Sequence, residues 1–160
     1  MKYAYLALAV IAFSMTSCGG GGSEKTASNS SEPTAAPAKA EEPKADDSMI
    51  DLTNKGIGPI TSVELGDLDQ GMADAGKQIF DSFCVACHKA NEDFIGPAPK
   101  DILKRRSPEW VMNMILNPAE MTAKDPIAIQ LLKEANGVPM VGQGLTEEQA
   151  RQLLEYFRTL

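Results

Sequence analysis

The stretch Cys84-Val85-Ala86-Cys87-His88 constrains this chain more than any other. The sequence holds three cysteines and one histidine, and this pentad takes two of the cysteines and the histidine. Two thiols one helical turn apart add across the two vinyl groups of a haem, and the imidazole that follows reaches the iron from below. Rival chemistries fit less well. Zinc wants four ligands, the region around the pentad offers at most three, and His88 is poorly placed to share a metal with the adjacent cysteine. A thioredoxin-like dithiol opens a helix after a buried strand, whereas an amphipathic helix precedes this one. A Cys84–Cys87 disulfide suits an exported chain but leaves His88 unexplained.

The N-terminus predicts export. Met1 and Lys2 give a positive start, and Ala4 to Phe13 is an apolar run too short for a membrane span but long enough for a signal core. Met15-Thr16-Ser17-Cys18 resembles the lipobox of bacterial lipoproteins. That resemblance implies cleavage after residue 17 and lipid on Cys18, which would anchor the protein on the periplasmic side of a bacterial membrane. The alternative is an ordinary secretory signal. Residues 18–60 then read as a disordered linker rich in Gly, Ser, Ala, Pro, Glu and Lys; from Gly19 to about Ser48 no apolar residue exceeds alanine, too little apolar surface to offset ordering entropy. As a flexible coil it reaches about 35 Å.

Residues 61–160 read as one all-α domain of about four helices. Apolar residues at 72, 75, 79 and 83 give an amphipathic helix up to Phe83. Ser107-Pro108 and Asp125-Pro126 each place a good cap before a proline at the first helical position. The first of these helices is expected to stop near Asn117-Pro118 and the second at Asn136-Gly137. Thr146-Glu147-Glu148-Gln149 is a capping box for a terminal helix whose buried face carries Leu153, Leu154 and Phe157. The stretch from Ile57 to Leu65, broken by Gly58 and Pro59, reads as an irregular lead-in.

Taken together, Asp69 to Leu160 resembles a monohaem class I cytochrome c. The resemblance rests on the helix leading into the pentad, on Ile95-Gly96-Pro97, on Pro139-Met140, and on a last helix ending Leu154-Glu155-Tyr156-Phe157. It implies a small cytochrome c fold around one covalent haem c, with thioethers at Cys84 and Cys87 and His88 as proximal iron ligand. It also implies that the Pro97 carbonyl takes the other ring nitrogen of His88, which would fix tautomer and orientation. Trp110, Arg105 or Arg106 would be candidates to hold a haem propionate. Plain core packing is the other role open to Trp110, and a solvated face the other role open to the arginines.

The distal ligand decides the function. With one histidine in the sequence, bis-histidine ligation is excluded. Of the eight methionines, Met1 and Met15 lie in the signal and Met49 in the linker, while Met72, Met112 and Met114 fall inside predicted helices, where methionine fills core. Met121 and Met140 remain, together with an open site. Met140 stands in a loop between Gly137 and Gly144, at the place of the family's ligand loop. Histidine with methionine raises the potential and leaves no vacancy for oxygen or peroxide. The expectation is an electron carrier, not an enzyme, that serves redox partner proteins of a respiratory chain. A haem protein with an open distal site is the alternative. The net charge of −7 argues against nucleic acid as a partner.

Overall fold

The computed structural model describes residues 49–160. The signal segment 1–17, Cys18 and most of the linker lie outside the described residues. Five α-helices follow in order: α1 (Gln70–Phe83), α2 (Pro108–Leu116), α3 (Pro118–Lys124), α4 (Pro126–Glu134) and α5 (Glu147–Phe157). A 3₁₀ turn over Ile102–Lys104 precedes α2. Among the described residues the extended pairing is a single parallel bridge between Asp51 and Arg106. The described residues include no helix long and apolar enough to cross a membrane.

Side-chain caps account for where the helices begin. Asp69 Oδ1 accepts from Met72 N at 3.0 Å, Ser107 Oγ from Trp110 N at 3.1 Å and Asp125 Oδ1 from Ala128 N at 2.9 Å. Each satisfies an amide that the first helical turn leaves without a partner. At α5 the box is reciprocal: Thr146 N donates to Gln149 Oε1 and Gln149 N to Thr146 Oγ1. α4 ends with Asn136 and Gly137 both at positive φ, and Gly137 N returns to Leu132 O.

The sequence-based count of four helices misses α3. Asn117-Pro118 stops α2 and also starts α3, with Pro118 at the first position, Glu120 in the first turn and Lys124 in the last. Asn117 itself does not cap. Its amide donates instead to Ile57 O and Glu120 Oε2.

A second correction concerns the lead-in. Residues 49–60, assigned to the linker on composition, pack against α2 and α3. Asn113, 1% exposed, accepts from Ile60 N at 2.9 Å and donates to Lys55 O and Ile60 O. Ile57 N donates to Met121 Sδ at 3.0 Å, and Ser107 Oγ donates to Asn54 O. Gly58 lies so near Asn113 that a Cβ there would stand 2.3 Å from Oδ1. The folded unit therefore includes these residues, and Ile60 is part of its core.

The core forms where α1 crosses α5. Ala73, Gly76 and Phe80 on α1 face Leu153, Tyr156 and Phe157 on α5. The Phe80 ring meets Tyr156 at 5.5 Å and Phe157 edge-on at 6.0 Å, separations at which aromatic pairs attract beyond simple burial. This crossing fixes the end of α1, and with it the pentad.

Candidate functional site

The pentad leaves α1 as a turn. Cys84 closes the helix, its N–H bonded to Phe80 O, and Cys87 N and His88 N both donate to Cys84 O. The chain then folds back so that Gly96 N donates to Cys87 O at 2.9 Å. Asp93 Oδ1 takes the Ala98 amide, and Lys100 N reaches Ala90 O. These bonds hold the loop 89–100 against the pentad.

His88 Nδ1 lies 2.9 Å from the carbonyl of Pro97. A carbonyl only accepts, so Nδ1 carries the proton and Nε2 is left as the bare nitrogen that a metal takes. Gly96 is required by the same ring, because a Cβ there would stand 2.4 Å from His88 Cε1. The two thiols differ in setting. Cys87 is exposed, whereas burial pushes the half-buried Cys84 thiol up to about 11.

Cys84, Cys87 and His88 open on a cleft whose walls are almost wholly apolar. Phe80 and Leu153 line it from the α1–α5 crossing, Trp110 and Ile115 from α2, Leu131 from α4, and Met140 from the loop before α5. Two thioethers thus border the cleft, Met140 and Met114. Met121 does not. It is fully buried behind α2, where its sulfur is occupied by the Ile57 amide and the Gly56 backbone presses on it.

Trp110 borders the cleft with its ring, but its indole N–H donates to Asp125 Oδ1 at 3.1 Å. The donor is spent, so the expected propionate contact through that atom is corrected. The neighbouring basic residues Lys104, Arg105 and Arg106 also divide. Lys104 pairs with Asp101, Arg105 donates to the carbonyls of Ala98 and Lys100, and Arg106 is 4% exposed, stacked on the Trp110 ring at 5.2 Å. The solvated face expected for the arginines fails for Arg106, because residues 49–51 and Trp110 cover it.

The family model for cytochrome c matches residues 73–160, over half of the chain. This chain belongs to the cytochrome c family. Among solved structures it is similar to cytochrome c from Rhodothermus marinus, with 46% identity, a TM-score of 0.61, and coverage of 64% of this chain and 88% of that one. It is also similar to an engineered form of that protein, Rma TDE, at 45% identity, 64% and 89% coverage and a TM-score of 0.61. A further engineered form, bound to a carbene intermediate, shares 44% identity over 64% and 88% of the chains, with a TM-score of 0.58. Among curated proteins none matches.

The cofactor of this cytochrome c is covalently bound haem c with its iron, and the protein is in general terms a haem-based electron carrier. The residues present fit that group. Two thiols and an imidazole with a bare Nε2 stand at the mouth of an apolar cleft, the surroundings that an iron porphyrin needs. The sequence missed Gly96 as a requirement of the histidine ring and Asp125 as the partner of Trp110. Glycine beside the proline was a usable signal for the first. The second had none, since Asp125 reads only as a helix cap.

Proposed function

We propose that this cytochrome c is an exported, lipid-anchored one-electron carrier, with thioethers at Cys84 and Cys87, His88 as proximal iron ligand and Met140 as distal ligand. The observation that carries the reading is the bond from His88 Nδ1 to Pro97 O, 2.9 Å long, which leaves Nε2 for iron. When bound, haem supplies a ferric/ferrous couple that takes up and releases one electron. The chain's own part is to hold and shield. The Pro97 carbonyl keeps the imidazole in one tautomer and increases its basicity as a ligand. The apolar walls exclude water, which disfavours the additional charge of the oxidised state and raises the potential.

Met140 is favoured as distal ligand because it borders the cleft from a loop, whereas Met114, the other thioether there, is held within α2 and the Met121 sulfur is already engaged elsewhere. With His88 and Met140 both holding the iron, the protein would pass electrons and make no bonds. Cys18 carries the lipid, and the partners are redox proteins of a respiratory chain held at the same membrane on its periplasmic side. Cytochrome c domains are typically exported, which agrees with this placement.

The test is optical. The full chain, matured with haem in a periplasm, is expected to give a low-spin spectrum with the weak red methionine-to-ferric band. Met140→Ala loses that band and Met121→Ala keeps it. A high-spin parent that binds carbon monoxide readily would overturn the carrier reading in favour of an open distal site. A Cys18→Ala protein that still partitions with membranes would overturn the anchor.

A further inference from the structure

Asp125 is a buried ionisable group, 3% exposed, that the electron-carrier reading does not use. It caps α4, but its contacts extend past that role. Oδ1 accepts from the indole N–H of Trp110 at 3.1 Å as well as from Ala128 N at 2.9 Å. Oδ2 accepts from the Asn54 amide at 2.7 Å. All three are N–H donors, the set that a carboxylate accepts. Trp110 and Ala128 are both cleft-lining residues, 3% and 0% exposed. The carboxylate therefore stands directly behind the cleft wall, screened from water by the wall on one side and by Asn54 on the other.

We propose that Asp125 sets the reduction potential of this cytochrome c from behind the cleft wall, as a fixed negative charge held against Trp110 and Ala128. This rests on the electron-carrier reading above. The oxidised cofactor carries one more positive charge than the reduced one. A buried negative charge stabilises the oxidised state and lowers the potential, and it does so strongly because little water lies between. Arg106 stacks on the same indole and opposes the effect, yet it forms no ion pair with Asp125 within the usual distance. The Asp125 carboxylate still attracts the Arg106 cation through space, so the two charges partly offset each other at the cleft.

A structural role and an electrostatic one predict opposite signs. Loosening the wall would admit water, stabilise the oxidised state and lower the potential. Removing the charge while keeping the wall raises it. Asp125→Asn keeps an oxygen for Trp110 and Ala128 and remains a good N-cap. Asn54→Ala leaves the charge in place and removes the bond at 2.7 Å.

The experiment is spectroelectrochemical titration of the full-length haem-loaded parent, Asp125→Asn and Asn54→Ala. Asp125→Asn is expected to shift the equilibrium about tenfold toward the reduced form, a rise of 59 mV for a one-electron couple. Asn54→Ala is expected to show no rise. Should Asp125→Asn fail to mature, Asp125→Ser, a neutral cap that gives up the bonds to Trp110 and Asn54, takes its place with a smaller rise expected. An unchanged or lowered midpoint in the charge-removing variant overturns the proposal, as does an equal rise in Asn54→Ala. A parent spectrum without covalent haem or without the methionine band counts against the carrier reading instead, before any midpoints are compared.

Discussion

Gly76 on α1 rests on the backbone of Gln152 on α5 so closely that a Cβ added to it would stand 2.0 Å from Gln152 O. The obstacle is main chain, which cannot rotate aside as a side-chain tip would. Any larger residue must push the two helices apart, and the aromatic cluster of Phe80, Tyr156 and Phe157 opens with them. We expect Gly76→Ala to cost about 3 kcal/mol and Gly76→Val more, since overpacking a tight core costs about 1–3 kcal/mol where relaxation is possible. Denaturant titration of the haem-loaded protein checks this. A loss under 1 kcal/mol for Gly76→Val would show that the crossing yields easily.

Gly96→Ala puts a methyl group 2.4 Å from His88 Cε1 and 2.9 Å from Nδ1. The ring must tilt, and the bond to Pro97 O lengthens or breaks. The expected outcome is a protein that keeps covalent haem but has weakened proximal ligation, seen as a partly high-spin spectrum at neutral pH. An unaltered spectrum would mean that the loop 89–100 shifts instead of the imidazole.

Met121→Ala separates packing from ligation. The side chain is fully buried, touches Gly56 and accepts the Ile57 amide. Truncation leaves a cavity and an amide without its partner, at a cost of about 2–5 kcal/mol. Thermal unfolding reads that loss.

Asp51 gives a pH dependence. Its carboxylate accepts from Thr53 N and Thr53 Oγ1, both at 2.8 Å, and from Asn54 N at 3.0 Å. The side-chain bond from Thr53 leads these in holding the carboxyl below its ordinary value of 3.8. A depressed value means that the bonded form contributes stability above pH 3.8 and that this contribution is lost as pH falls through the folded value. Hydrogen exchange at residues 51–54, corrected for intrinsic rate, should accelerate in acid in the parent. In Asp51→Asn the same amides should show no such step.

Most of the helices were legible in the sequence because their starts are written locally. Ser107-Pro108, Asp125-Pro126 and Thr146 with Gln149 each put the cap and the helix within four residues of one another. The pentad was legible for the same reason. α3 was not, because Asn117-Pro118 serves two helices and, read locally, signals only an ending. The packing of residues 49–60 was not, because Gly56, Gly58 and Pro59 interrupt the apolar residues Ile50, Leu52, Ile57 and Ile60 and make the stretch look like linker. What holds them are Asn113, Met121 and Asp125, partners 53 to 71 positions away. Arg106 and Trp110 stand four residues apart across the Ser107 cap, so their stacking had a signal that charge alone obscured. The candidate site was read to its thiols and its imidazole, while the wall behind Trp110 could be found only in three dimensions.

The same long separations have a kinetic side. α2 and α3 must exist before residues 54–60 have anything to grip, and α1 must wait for α5 at the far end of the chain. Local turns form in microseconds, whereas contacts between distant segments set the pace of a small domain. An emerging chain therefore carries its lead-in bare until the sequence near residue 125 has followed it out. α1 is left uncovered longer still, until Tyr156 and Phe157 on α5 have emerged to meet Phe80, and it is the ordered segment exposed longest to proteases and to neighbouring chains.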